Sequence, residues 1–188
     1  MSDITNLSTI DVAVSNYIAV VTMNNPPVNA QNRQFHDDLT LAFDVLSDRD
    51  DVRSIVLTGA GKCFSAGADI KGRASSKPDL GDHWSHSRRV RECFYSIMEC
   101  RKPVIAAING PALGAGLAVA ASADILIASE SASVGLPEIN VGLLGGGRHA
   151  MRLFGHSKTR RLMLTGQRLS GAELYRLGVV EECVPDDD

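Results

Sequence analysis

An α/β fold layered around several parallel strand pairings is what this sequence of 188 residues predicts. Short β-branched runs alternate with segments of helical period along the chain. Two of the runs pass straight into glycine- and alanine-rich loops, SAGADI at 65–70 and GPALGAGL at 110–117. The second loop sits inside a stretch, Val104 to Ala123, that carries no charged side chain.

The elements follow in order. IDVAVSN and YIAVVTM read as two strands of a hairpin with its turn at Ser15-Asn16. NNPPVNA breaks the pattern, after which Phe35, Leu39, Leu41, Ala42, Phe43 and Leu46 recur with helical spacing up to Ser47. RSIVLTG (53–59) is a third strand and runs into GAGKCFSAGADI. The polar segment 73–88, with Ser75, Ser76, Pro78 and Gly81, predicts a mobile surface loop. Val90 to Cys100 predicts a helix whose apolar face is Val90, Cys93, Phe94, Ile97 and Met98. PVIAAING is the next strand, followed by the helix that GPALGAGL opens, then by DILIASE. A helix around 157–165, another in SGAELYRLG with Ser170 as N-cap, and a last strand in VVEECVP complete the chain. There is no low-complexity tract and no strict repeat, although the strand-strand-helix grouping can recur structurally.

Composition narrows the function classes. One compact domain with a real core fits this length, and 44% hydrophobic residues is ordinary for a soluble protein. A net charge of −3 gives no basic field for nucleic acid or an anionic membrane. The one dense basic cluster, Lys158-Thr159-Arg160-Arg161, reads as a solvated helix face. Val104 to Ala123 is nominally long enough to span a bilayer, but Asn109-Gly110-Pro111 and its Ala/Gly content predict a buried strand, a turn and a buried helix. Cysteines at 63, 93, 100 and 183 form no metal-ligand spacing, so no metal is expected. The opening MSDITNLSTIDV lacks the pattern of a signal peptide, and reduced thiols in a cytoplasmic protein are the expectation.

The two glycine loops share a physical character. Each presents main-chain N–H groups free of bulky side chains, and the start of a helix leaves such donors unpaired. Aimed at one point, two N–H groups would hold a developing oxyanion, at roughly 3 kcal/mol per donor. Taken singly, either loop reads first as glycines that permit a tight turn and close packing. Gly61-Lys62 is not a phosphate loop, because Cys63 follows and the upstream glycine is missing. GAGLAV lacks the third small residue of a dinucleotide fingerprint. Ser122 as a protease nucleophile fails on register, being too deep in the helix and without an evident histidine partner.

Taken together, NNPPVNA, SIVLTGAGKCFSAGADIK, KPVIAAINGPALGAGLAVAASADILIASESASVGLPEINVGLL and TGQRLSGAELYRLGVVEECVP resemble the crotonase (enoyl-CoA hydratase/isomerase) superfamily, in its order and spacing, from about Thr9 to Pro185. The resemblance implies a spiral of repeated strand-strand-helix units, related by fold to Clp-type proteases, that binds acyl-coenzyme A thioesters. It implies oxyanion donors at the main-chain N–H of Ala68 and Ala115, and a coenzyme A cleft with contacts at Val28, Ala30, Ala66, Asp69 and Ile70. Lys62 and Lys71 either assist with phosphate charge or are solvated lysines. No metal or redox cofactor is implied, since coenzyme A arrives with the substrate. A role in fatty acid metabolism and assembly as a homotrimer or a hexameric dimer of trimers are further expectations.

The acidic residues set this chain apart. Two-glutamate hydratases carry one glutamate at the position of Ala118 and the second at Glu138. Gly146 matches the loop glycine whose N–H lies beside the catalytic water. Glu138 is therefore the candidate acid/base, against the plainer reading of a helix N-terminal carboxylate held by the dipole. Arg148 and His149 depart from the family pattern and read as surface residues at a helix start, with pocket residues as the alternative. VPDDD resembles the beginning of the family's C-terminal helices, so residues 1–188 are expected to be the core domain without that extension. The expected chemistry is hydration or isomerisation of an enoyl-CoA through an enolate. Alternatives are a non-catalytic acyl-CoA-binding or assembly homologue, and a hydrolase or decarboxylase on the same scaffold.

Overall fold

The computed structural model describes residues 4, 7–70 and 79–187. Strands β1 (Ile10–Ser15) and β2 (Ile18–Met23) pair antiparallel from Ile10↔Met23 to Ser15↔Ile18. Their turn is Asn16-Tyr17, one residue later than expected, with φ of 50° and 65°. Positive φ at both positions gives the turn the twist of the strands it joins. Arg53 secures it, its guanidinium 4.2 Å from the Tyr17 ring centroid and its N–H donating to Tyr17 O at 2.7 Å.

After the short strand β3 (Ala30–Gln31) comes α1 (Arg33–Asp48), capped by the Asn32 side chain, which accepts from Phe35 N at 2.9 Å. Phe35, Leu39, Ala42, Phe43 and Leu46 form its buried stripe. Leu41, counted in the helical recurrence, lies off that stripe and is 38% exposed. Strand β4 (Ser54–Gly59) and the two-residue β5 (Gly67–Ala68) lead to α2 (Leu80–Met98).

The α2 helix corrects the expected loop. Residues 80–88 are helical, and 73–78 lie outside the described residues. Asp79 and Asp82 form a capping box, with Asp82 N donating to Asp79 Oδ1 at 2.8 Å and Asp79 N to Asp82 Oδ2 at 3.3 Å. That cap nucleates a polar first half whose residues face outward, so no apolar periodicity marked it. Cys93, Phe94 and Ile97 are buried, while Val90 and Met98 are only partly so.

Strands β6 (Val104–Ile108) and β7 (Pro111–Leu113), then α3 (Ala115–Ala120), divide the uncharged stretch among them. Among the described residues no helix is long and apolar enough to cross a membrane. Beyond lie β8 (Ile125–Ser129), β9 (Ser133–Gly135), a 3₁₀ turn at Pro137–Val141, and the short helix α4 (Gly147–Ala150). The chain continues with α5 (His156–Thr165), β10 (Arg168–Ser170), α6 (Gly171–Arg176) and β11 (Glu182–Val184). Ser170 caps α6 as expected, accepting from Glu173 N at 3.3 Å. On α5, Arg160 and Arg161 face solvent while Thr159 is buried.

The main sheet runs β1-β2-β4-β6-β8-β11, and every pairing after the first hairpin is parallel. A second sheet runs β10-β9-β7, and β3 pairs with β5. The grouping β2-β3-α1 recurs as β4-β5-α2 and β6-β7-α3: a strand of the main sheet, a short strand, a helix. This is the spiral of strand-strand-helix units. Burial alternates along the main strands, and Val21, Met23, Ile55, Leu57, Ala106 and Ile108 meet the helices on the inner face. Truncating a fully buried core side chain such as Phe43 costs about 3–5 kcal/mol. The four cysteines are free thiols.

Candidate active site

The β3–β5 pair is the floor of the site. Ala66 N donates to Val28 O at 2.9 Å, Ala30 pairs with Gly67, Gln31 pairs with Ala68, and Asp69 N donates to Gln31 O at 3.0 Å. Four of the expected cleft residues, Val28, Ala30, Ala66 and Asp69, thus share one two-stranded unit. Ile70 follows directly and is 47% exposed.

Asn29 holds this unit from below. It is buried, adopts a left-handed φ of 52°, and donates through Nδ2 to Cys63 O at 2.7 Å and Ala60 O at 3.1 Å. Its Oδ1 accepts from Asn25 N at 3.1 Å. Asparagine is among the few residues that adopt this backbone at low cost.

Opposite stands the start of α3. Gly114, with φ of 57° and ψ of −119°, donates its N–H to Gly135 O at 2.9 Å. Ala118 N makes the first helical bond, to Gly114 O at 3.2 Å, so Ala115 N–H has no acceptor within the helix. The two loops are in main-chain contact: a Cβ added at Gly67 would stand 3.1 Å from Ala115 N. Gly67 and Ala115 are therefore neighbours across one narrow gap, and neither Ala115 nor Ala68, the residue after Gly67, is buried.

Glu138 lies in the first turn of the 3₁₀ segment, behind the buried Leu136. A Cβ at Gly114 would stand 2.9 Å from its Oε1, and one at Gly146 3.7 Å from the same atom. The carboxyl is thus pinched between the residue preceding Ala115 and the loop glycine Gly146. Its Oε2 is buried without a hydrogen-bond partner. Burial raises its pKa above the ordinary carboxylate value and outweighs the opposing effect of its own main-chain N–H.

The remaining expected positions divide. Ala118 is 2% exposed and belongs to the core cluster, so α3 brings no ionisable side chain to the site. Ser122 is buried and spends its hydroxyl on Ala118 O at 2.8 Å, in keeping with its rejection as a nucleophile. Arg148 is exposed. His149 is not a surface residue: its ring packs edge-on against Phe94 of α2 with centroids 4.8 Å apart, and its Nδ1 is buried without a partner. Burial, with Arg152 and Arg148 nearby, depresses its pKa below the usual histidine value. Lys62 is exposed, and Lys71 lies outside the described residues.

Sequence reasoning missed Gln31 and Ser65, both buried at the β3–β5 pair. Gln31 Nε2 donates to Ser65 Oγ at 3.2 Å. The available signal was a glutamine where the alternation of β3 required an inward-facing residue.

Comparison with known proteins places the chain among relatives. Residues 13–188 match the enoyl-CoA hydratase/isomerase family. A probable enoyl-CoA hydratase of Bacillus subtilis is 38% identical over 184 residues, covering 96% of this chain and 71% of that protein. A (7aS)-7a-methyl-1,5-dioxo-2,3,5,6,7,7a-hexahydro-1H-indene-carboxyl-CoA hydrolase of Mycobacterium tuberculosis is 37% identical over 172 residues, covering 90% of this chain and 68% of the relative. The solved structure of Pseudomonas aeruginosa DspI superposes with a TM-score of 0.89 at 34% identity, covering 98% of this chain and 77% of that one. The chain spans about two thirds of the length of its curated relatives, 66% for a probable enoyl-CoA hydratase of Mycobacterium bovis. On the match across residues 13–188 and this identity, the chain belongs to the enoyl-CoA hydratase/isomerase family.

Proposed function

We propose that the protein acts on acyl-CoA thioesters by stabilising an enolate, with Glu138 as the single acid/base and the N–H groups of Ala68 and Ala115 as oxyanion donors. The observation that carries this reading is the Glu138 carboxyl lying against Gly114, one residue from Ala115. A thioester oxygen held at Ala115 would bring its acyl chain within reach of that carboxylate. Glu138 removes a proton from C2 or C4, and the charge passes to the thioester oxygen, where the two N–H groups meet it. Return of the proton at the other carbon shifts the double bond. Acting instead on water, Glu138 takes a proton as oxygen bonds to C3, and C2 is then protonated. Gly146, beside Oε1, supplies an N–H for that water.

Ala118 in place of a second glutamate favours isomerisation or single-glutamate hydration over the two-glutamate route. Val28, Ala30, Ala66, Asp69 and Ile70 line the coenzyme A cleft in this reading, which requires no metal or redox cofactor. Family resemblance extends it to a cytoplasmic trimer or dimer of trimers serving fatty acid metabolism. A second reading, acyl-CoA hydrolysis, draws support from the hydrolase relative, which is as similar as the hydratases.

The test is incubation with crotonyl-CoA and with a 3-enoyl-CoA, wild type against Glu138→Gln. Hydration or isomerisation lost in the variant supports the proposal. Binding without turnover across an acyl-CoA panel overturns the enzyme reading in favour of an acyl-CoA-binding or assembly homologue. Release of free coenzyme A moves the reading to hydrolysis, and turnover that survives Glu138→Gln discards that base.

A further inference from the structure

Ser65 is fully buried and every hydrogen-bonding group on it is used. Its hydroxyl donates to Asn29 O at 2.7 Å and accepts from Gln31 Nε2 at 3.2 Å and Gly67 N at 3.3 Å. One donor and two lone pairs are all a serine hydroxyl has. Its main-chain N–H donates to Pro111 O at 3.1 Å, and its carbonyl accepts from Leu113 N at 2.9 Å. A Cβ at Gly116 would collide with that same carbonyl. The side chain of Ser65 thus holds β3 and β5, while its main chain holds β7 and the first turn of α3.

We infer that Ser65, clamped by Gln31, is the positioning residue that fixes the gap between the Ala68 and Ala115 N–H groups. The inference rests on the proposed reading of those groups as oxyanion donors. Only Ala66 separates Ser65 from Gly67, and Gly67 abuts Ala115 N. Any tilt of β5 about Ser65 therefore changes the distance and angle between the two donors directly. Gln31 stands opposite Ala68 in the β3–β5 register and ties the same hydroxyl from the far strand.

The chemistry of Gln31 argues for more than packing. Its Oε1 is buried without a partner, an arrangement that opposes folding and that a leucine of similar size would avoid. What the amide contributes in exchange is the Nε2 bond to Ser65, which removes the hydroxyl's freedom to rotate. A hydroxyl so saturated is no nucleophile. Its work is geometric, and a displacement of about 1 Å at a reacting centre can cost on the order of 100-fold in rate.

Ser65→Ala deletes the side-chain bonds and leaves both main-chain bonds to β7 in place, so the fold is retained. The expected result is a kcat on crotonyl-CoA lowered roughly 10- to 100-fold with KM changed less than about twofold. Gln31→Leu, which keeps the bonds of Ser65 to Asn29 and Gly67, lowers kcat in the same sense by a smaller factor and serves should Ser65→Ala not fold. A structural role alone would not move the carbonyl stretch of bound butyryl-CoA, isotope-labelled at the thioester carbon and read by difference infrared spectroscopy. Wild type is expected to shift that band to lower frequency on binding, and both variants to shift it less. An unchanged band in the variants, with loss confined to thermal stability, overturns the role of Ser65 alone. Absence of any shift in wild type overturns the oxyanion reading beneath it.

Discussion

The carboxyl of Glu138 rests on the Cα face of Gly114, so close that a Cβ there would stand 2.9 Å from Oε1. Gly114 also holds φ of 57° with ψ of −119°, a backbone that side-chain-bearing residues avoid. Gly114→Ala is therefore expected to cost about 1–3 kcal/mol in backbone strain and to push the carboxyl away from Ala115. Denaturant unfolding checks the first effect. Loss of turnover at substrate saturation checks the second.

Glu138→Gln separates function from stability. General acid–base catalysis contributes roughly 100- to 10,000-fold, and a loss of that order in kcat is expected. Stability moves the other way. The folded-state pKa of Glu138 is raised, so the folded protein binds its proton more tightly than the unfolded chain does. This stabilisation is full at acid pH and is lost as pH rises through the folded pKa. The glutamine variant stays neutral throughout, so at neutral pH its melting temperature should equal or exceed that of wild type. A lower melting temperature at neutral pH would contradict the cost of burying this carboxylate charged.

Ala115 is the first residue of α3, the helical position that tolerates proline best because its N–H bonds to nothing in the helix. Ala115→Pro deletes one proposed oxyanion donor and should leave the helix standing. The expected fall in kcat is roughly 100- to 1000-fold with circular dichroism preserved. Full activity in a folded proline variant would remove Ala115 from the mechanism.

His149 gives a pH signature with the opposite sign to Glu138. Its folded pKa lies below the usual value of 6.5, so the unfolded chain binds its proton more readily. The contribution of His149 to stability is present above pH 6.5 and is lost as pH falls through the folded pKa. Replacing it with leucine, which keeps an apolar contact to Phe94, should remove that part of the acid sensitivity. Unfolding free energies measured from pH 7.5 down to about 5 test this, and identical slopes in the two proteins would place the effect elsewhere.

Much of this arrangement was legible in the chain. Short β-branched runs marked β2, β4 and β6, and the buried stripe of α1 emerged from its spacing apart from Leu41, which is 38% exposed. The glycine loops were legible as tight turns before strands and helices, and only the family resemblance gave their main-chain N–H groups a role. What escaped detection was made of polar residues whose meaning depends on distant partners. The first half of α2 reads as a loop until Asp79 and Asp82 are seen capping one another. His149 reads as surface until Phe94, on α2, is found against its ring. Ser65 and Gln31 are far apart along the chain, and nothing local announces that one hydroxyl joins them. The short strands β3, β5 and β7 are fixed by their neighbours rather than by any propensity of their own.

The proposed donors at Ala68 and Ala115 are main-chain groups of residues that are already alanine. An alanine scan of this protein would pass over both positions unchanged, and reagents directed at reactive side chains would find nothing to label on α3. A survey by such methods would report Glu138 as a solitary hot spot and assign the surrounding loops to mere scaffolding. Chemistry that edits the peptide bond itself, such as replacing an amide by an ester, is what would bring those positions into view.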